Sequence, residues 1–235
     1  QDETLFMLPL TAKHRQMAVN RRLLEKRRMG YMANTIEHPI WYPMEFDQLL
    51  EEFALADHPA LEIWPAEPET CGALEALLQA LYGGAWLTEG GETGQADHIN
   101  VQAALEWLRD RVRGGLIARV GSREEALTHF LNGETALFMD WRTGDERRCA
   151  RELEKNGVEL LTMPYPSSTG FVIRSFELTG VCVAAGANSA LAMRAAAFWH
   201  EDAQAQRALG ERGIWKDDAV WLPEIDATQK GLTLR

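Results

Sequence analysis

A Gly-Gly-Glu-Thr-Gly run at residues 90–94 has the glycine density of a loop that cradles phosphate with backbone N–H groups. It lacks the Lys-Ser/Thr ending of a P-loop, and no strand is expected before it, so nucleotide chemistry is not supported. Ser167, Ser168 and Thr169 carry hydroxyls, but in a Pro-flanked loop without a nearby base or a Gly-x-Ser-x-Gly elbow. The chain has 35 carboxylates, so some pair will always be spaced like a glycosidase dyad, and nothing singles one out. Its six histidines stand singly, and Cys71, Cys149 and Cys182 form no Cys-x-x-Cys pair. Neither a metal site nor a disulfide framework is expected, only three buried or half-buried thiols. The reading is therefore not an enzyme, with no metal and no cofactor.

Tryptophan stands out, with eight copies at positions 41, 64, 86, 107, 141, 199, 215 and 221. Trp107 and Trp199 fall in predicted helices and read as packing residues. Trp64 and Trp141 end predicted strands, where α/β folds place their ligand crevices. An indole there offers a flat apolar face and one N–H, which suits the C–H face of a sugar ring. The same indole can equally plug a core.

The elements that would position these residues follow from periodicity. Phe46, Leu49, Leu50 and Phe53 recur at helical spacing after Pro43. Leu74, Leu77, Leu78 and Leu81 repeat the pattern before Gly83-Gly84, and Val101, Ala104, Leu105, Leu108 and Val112 repeat it before Gly114-Gly115. Ser122-Arg-Glu-Glu125 is a capping box for a helix ending at Gly133, and Thr143-Gly-Asp-Glu146 is one for a helix ending at Gly157. An Ala-rich helix is expected from Asn188 or Ser189 to about Leu209. Short apolar runs at 61–64, 135–140, 158–163 and 179–185 read as strands. Strands alternating with helices predict an α/β fold whose mixed sheet is covered by helices.

Composition agrees with a folded domain. The 235 residues are 46% apolar and 25% charged, with a net charge of −11, which excludes disordered and fibrous classes and a generally nucleic-acid-binding surface. Seven basic residues and one acid lie between Lys13 and Arg28, a block that reads as a solvated helix face. No apolar run approaches the roughly 18 residues that span a bilayer. Residues Gln1–Leu10 do not read as a signal peptide, and Gln1-Asp-Glu-Thr-Leu-Phe6 reads like the interior of a longer protein.

The segment Phe130-Leu-Asn-Gly-Glu-Thr-Ala-Leu-Phe-Met-Asp-Trp141 resembles the signature of the extracellular solute-binding proteins of ABC importers, in particular the sugar-binding, maltose-binding-protein-like family. Other segments follow in the family's order. Leu8-Pro9 with Val19-Asn-Arg-Arg-Leu-Leu24 resembles its crossover between lobes, with Val19 where tyrosine is usual. Trp41 to Phe53 resembles its Trp-Glu-Glu-Phe helix, and Tyr82-Gly83-Gly84 a helix end with paired glycines. Val158 to Pro164 resembles a strand closed by proline, and Gly180 to Ala185 the strand returning to the first lobe. Ala195, Ala196, Phe198 and Trp199 resemble the helix after it.

The resemblance implies a periplasmic-binding-protein-like (type II) lobe plus a returning segment of the other lobe, with most of the first lobe lacking. Residues 1–12 would be the first lobe's tail, 13–178 the second lobe, 179–222 the returning strand and helix, and 223–235 a C-terminal tail. It implies non-catalytic binding of a small solute, a sugar or oligosaccharide, with closure of two lobes read by ABC transporter membrane subunits. Localisation would be extracellular or as a cell-surface lipoprotein. Trp141 would be the stacking platform, with Asp140 and Arg142 beside it, Trp64 and Tyr82 as walls, Arg174 and Glu177 near the hinge, and Trp215 approaching from the other side. The alternative is a ligand-sensing domain of a cytoplasmic transcription regulator, with no direct nucleic-acid contact unless fused to a DNA-binding head.

Overall fold

A seven-stranded mixed sheet organises the chain in a computed structural model that describes residues 8–26, 41–54, 59–65, 71–83, 86, 93–142, 144–169, 175–181, 194, 198 and 220–221. The elements are β1 (Leu8–Asn20), α1 (Arg21–Lys26), α2 (Pro43–Ala54), β2 (Leu61–Ile63), α3 (Cys71–Tyr82), α4 (Ile99–Arg113) and β3 (Ile117–Arg119). They continue with α5 (Arg123–Asn132), β4 (Leu137–Arg142), α6 (Asp145–Asn156), β5 (Leu160–Met163), β6 (Ser175–Val181) and β7 (Val220–Trp221). The strand order is β3-β2-β4-β1-β5, with β6 and β7 also pairing with β1.

Strand β2 lies parallel to both neighbours, with Leu61 opposite Ile117 on β3 and Leu137 on β4. Parallel strands need crossovers, which α3, α4 and α5 supply. The other side of the sheet is antiparallel, with Met17 opposite Met163 and Asn20 opposite Leu160. Residues 137–141 of β4 are all buried, the mark of a central strand covered on both faces.

The helices form where the apolar spacing predicts them. In α2, Phe46, Leu49, Leu50 and Phe53 are fully buried, and the Glu45 carboxylate accepts from the Tyr42 N–H at 2.8 Å to satisfy the helix start. Helix α5 opens on Ser122, whose Oγ accepts from the Glu125 N–H at 3.1 Å, and closes on Gly133 at φ +75°, a left-handed turn that suits glycine. Here Glu125 reaches back to the Gly121 N–H at 2.8 Å, one residue before the cap. Ser122→Ala is expected to cost about 1 kcal/mol, read as a lower urea midpoint with unchanged slope.

The chain divides into two compact units. The larger comprises Arg15–Trp141 and Glu146–Ser175; the smaller comprises Gln1–His14, Arg142–Asp145 and Phe176–Arg235. One continuous core fills the larger unit, joining Leu61, Ile63, Phe138 and Met139 of the sheet to Leu49, Leu77, Trp107 and Phe130 of the helices. In the smaller unit, Thr11 and Ala12 of β1 lie opposite Trp221 and Val220 of β7.

Several expectations need correction. The basic block from Lys13 is not one helix face: its first part is β1, and Arg15 is buried at 7% exposure. Lys13 to Gln16 hide that strand because polar residues interrupt its apolar signal. Strand β4 starts at Leu137, two residues later than expected, although the Ala136 carbonyl already accepts from the Asn20 N–H of β1 at 2.8 Å. Strand β6 spans Ser175–Val181, where Phe176 and Leu178 alternate with Ser175, Glu177 and Thr179; residues 182–185 lie outside the described part. The two three-residue partners β2 and β3 differ in legibility, and β3 escaped the reading altogether. Thr143 is outside the described residues, and it is Asp145, through Oδ2, that accepts from the Arg142 N–H at 2.9 Å before α6. Cys149 is buried; Cys182 and the Cys71 side chain are outside the described part, as is the Ala-rich helix apart from Arg194 and Phe198.

Candidate functional site

The parallel strands of the larger unit bring their C-terminal ends to one edge, where β2 runs out at Trp64-Pro65 and β3 at Val120-Gly121, level with Asp140-Trp141 of β4. An open groove of about 590 Å³ lies there, lined by Pro65, Arg119, Val120, Gly121 and Glu125. Its charged groups are one guanidinium and one carboxylate, those of Arg119 and Glu125. This edge is where an α/β sheet ordinarily offers a ligand its polar contacts.

Behind the groove the edge is built on aromatic packing. Trp64 stacks on Phe138 with ring centroids 5.4 Å apart, and Phe138 meets Trp141 edge-on at 6.4 Å and 89°. Phe130 touches both Phe138 and Trp141, each at 6.0 Å. Trp64 is 1% exposed and Trp141 4%. Their faces are occupied by each other's neighbours, which corrects the expectation that they form open stacking platforms. Both belong to the core.

Beside them Asp140 is fully buried between two arginines. Arg123 donates from Nε to the Asp140 carboxylate at 2.8 Å and from Nη2 to the Asp140 carbonyl at 2.8 Å, while Arg15 Nε lies 3.4 Å from the other carboxylate oxygen. The Arg123 guanidinium also sits 5.3 Å from the Phe138 ring centre. Asp140 therefore holds the protein together at this position, which corrects its expected place as a ligand contact beside an indole. The Arg142 side chain is half-buried at the end of β4.

A second buried carboxylate lies on β2. Both Glu62 oxygens are 2.9 Å from His129 Nδ1, so that nitrogen carries the proton and donates. The Glu62 carboxyl is held above its ordinary range because burial outweighs the lowering by His129. The His129 imidazole is raised chiefly by its bond to Glu62, with Glu134 and Glu125 adding to it. Both groups thus bind protons more tightly folded than unfolded, and the stability they contribute is present at low pH and lost as pH rises. For His129 the loss begins near the ordinary imidazole pKa of about 6.5 and continues through the raised folded value. Chemical denaturation across pH 6–8 (about the imidazole range) is expected to show stability falling with pH, and His129→Gln is expected to flatten that slope.

Tyr82 is half-buried at the end of α3, its ring 6.5 Å from Trp107, and burial raises its phenol. That packing places it in a helix interface with Trp107, Asp47 and Arg111. Glu177 lies inside β6 and not before it. Arg174 and Trp215 lie outside the described residues. Arg119 and Glu125 were missed: the first sits on a strand too short to show periodicity, and the second reads as a capping residue. Among the described residues no group of three or more His, Cys, Asp or Glu is placed to hold a metal ion, and no helix is long and apolar enough to cross a membrane.

No protein-family model and no curated protein matches the chain. Solved structures do. A proposed oligosaccharide periplasmic-binding protein from Synechococcus sp. MITs9220 aligns at TM-score 0.68 and 15% identity, over 97% of this chain and 56% of its own. An ABC transporter solute-binding protein from Thermotoga lettingae TMO, bound with alpha-D-tagatose, aligns at 0.59 and 14%, over 90% and 54%. The sugar-binding protein MalE from Xanthomonas citri aligns at 0.61 and 15%, over 88% and 51%. The chain has the periplasmic-binding-protein fold, mixed α/β, and spans about half the length of these structures.

Proposed function

We propose that this chain binds a small solute, a sugar or oligosaccharide, without altering its bonds, as part of an ABC-importer solute-binding protein working outside the membrane with transporter membrane subunits. The observation that carries the reading is the groove at the C-terminal strand edge, on a chain whose fold is that of sugar-binding proteins. Arg119 can donate two parallel hydrogen bonds and Glu125 can accept, a pairing that suits vicinal hydroxyls. Arg142, Arg174, Glu177 and Trp215 are proposed on sequence position alone.

A ligand that binds only the folded state stabilises it by about 2.7 kcal/mol at a hundredfold excess over Kd. A thermal-shift panel of mono- and oligosaccharides on the full chain is expected to give at least one concentration-dependent rise in Tm, diminished by Arg119→Ala. Silence across the panel, or release of product from any of its members, would overturn the proposal.

A further inference from the structure

We infer that Asn156 is a site of spontaneous covalent modification, where the amide that latches helix α6 to helix α5 is lost by ring closure onto the Gly157 nitrogen. The inference concerns the ageing of the folded chain and does not depend on the proposed function.

The sequence has two Asn-Gly steps, Asn132-Gly133 and Asn156-Gly157. In such a step the backbone nitrogen meets the least obstruction on its way to the side-chain carbonyl, because glycine has no Cβ to crowd the approach. The two asparagines stand 24 positions apart, yet the fold sets them side by side at the ends of α5 and α6, within the larger unit. Asn156 Nδ2 donates to the Leu131 carbonyl at 2.8 Å and lies 3.4 Å from Asn132 Oδ1. Both helices close in the same way. The Gly133 N–H donates to the Phe130 carbonyl at 3.0 Å and the Glu134 N–H to that of His129 at 2.9 Å. On α6 the Gly157 N–H donates to the Glu154 carbonyl at 3.1 Å and the Val158 N–H to that of Leu153 at 2.9 Å.

In the reaction the Gly157 nitrogen gives its proton to solvent base and bonds to Asn156 Cγ. The Cγ–Nδ2 bond breaks, and the amide nitrogen takes a proton from water and leaves as ammonia. Water then opens the cyclic imide at either carbonyl, giving aspartate or isoaspartate, with no change of oxidation state. The nitrogen must first leave its helix-closing hydrogen bond, and the backbone must turn to bring it to Cγ, so the last turn has to fray. The two ends differ in how readily they do so. The last turn of α5 carries buried Phe130 and Leu131, and its Gly133 N–H is shared between the His129 and Phe130 carbonyls. Of the last four residues of α6 only Leu153 is buried, and Glu154, Lys155 and Asn156 are exposed. Asn156 therefore reacts first. Its product puts a carboxylate where a donor stood, facing the Leu131 carbonyl and Asn132 Oδ1, with Glu134 bonded to Asn132 behind them at 3.2 Å. Acceptors then face acceptors, and the latch opens.

Incubation of the full chain in mildly alkaline buffer, followed by peptide mapping that separates aspartate from isoaspartate, tests this. In urea both asparagines are expected to convert at similar rates. In the folded chain Asn156 is expected to convert about ten- to a hundredfold more slowly than in urea, and ahead of Asn132. Arg22→Ala, which removes the bond from Arg22 Nη1 to the Gly157 carbonyl at 3.1 Å, is expected to speed Asn156 about fivefold and to leave Asn132 as it was. Asn156→Asp imitates the product and is expected to speed Asn132 about fivefold, the worth of one hydrogen bond. Asn156→Gln keeps an amide but closes its ring far less readily, so product at 156 is expected to disappear. Arg109→Ala, on an exposed pair elsewhere, is expected to change neither rate. Conversion of Asn132 ahead of Asn156, or equal rates folded and in urea, would overturn the inference. So would a folded chain still unmodified after about a hundred times the period the unfolded chain needs. An Asn132 rate indifferent to Asn156→Asp would show that the amide is no latch.

Discussion

Asp140→Ala is expected to lower unfolding stability by about 3–5 kcal/mol in a urea titration, the range for breaking a buried pair by removing one partner. Asp140 has no exposed surface, and the two guanidiniums it holds are themselves almost fully enclosed. Deleting the carboxylate leaves like charges facing each other where water cannot screen them. Most domains have only about 5–15 kcal/mol in hand, so the variant should be marginal at room temperature. Asp140→Asn should lose less, because the amide oxygen can still accept from Arg123. The exposed Arg109–Asp110 pair, at 2.9 Å and with both side chains about half in solvent, provides the contrast: its loss should be barely detectable. If Asp140→Ala were as mild as Asp110→Ala, the cluster would not be organising this edge of the sheet.

The contrast also shows what can be read from a sequence. Helices α2, α4 and α5 were legible because an apolar stripe repeats every three or four residues and a proline, a serine or a glycine marks at least one end of each. Their caps are local chemistry. Strand β1 was not legible, although it is central, because its place between β4 and β5 is a long-range fact and its residues 13–16 are Lys-His-Arg-Gln. Nothing in that run says that Arg15 will be buried; its partner lies 125 positions away and becomes visible only when the strands are side by side. The resemblance of Phe130–Trp141 to a signature segment did identify the fold, since a helix, a left-handed glycine and a strand follow in that order. It did not tell which side chains face a ligand.

That gap has a physical origin. A residue at the end of a central parallel strand is flanked by both neighbouring strands and by helices on either face, and a large ring there fills space first. The groove is instead framed by what cannot fill it: a proline, a valine and a glycine at the strand end, and two exposed charged side chains. Spacing rules find rings and carboxylates readily; they do not find an opening.

Trp141→Ala provides the sharpest separation of the two roles, and it is expected to cost about 3–5 kcal/mol of stability, the range for truncating a buried tryptophan. The indole is 4% exposed and meets two phenylalanine rings at 6.0 and 6.4 Å, contacts that add about 0.5–1.5 kcal/mol beyond the area they bury. Under conditions where the variant remains folded, its affinity for a responding sugar should match that of the unmodified chain within about twofold, because no ring face is withdrawn from the groove. Arg119→Ala should show the reverse, with unchanged denaturation and weaker binding, since Arg119 is exposed and lines the opening. Calorimetric titration of both variants with the same sugar, paired with their urea curves, distinguishes the cases. Retained stability with a loss of affinity on Trp141→Ala would return the indole to the binding surface and remove the groove at Arg119 from it.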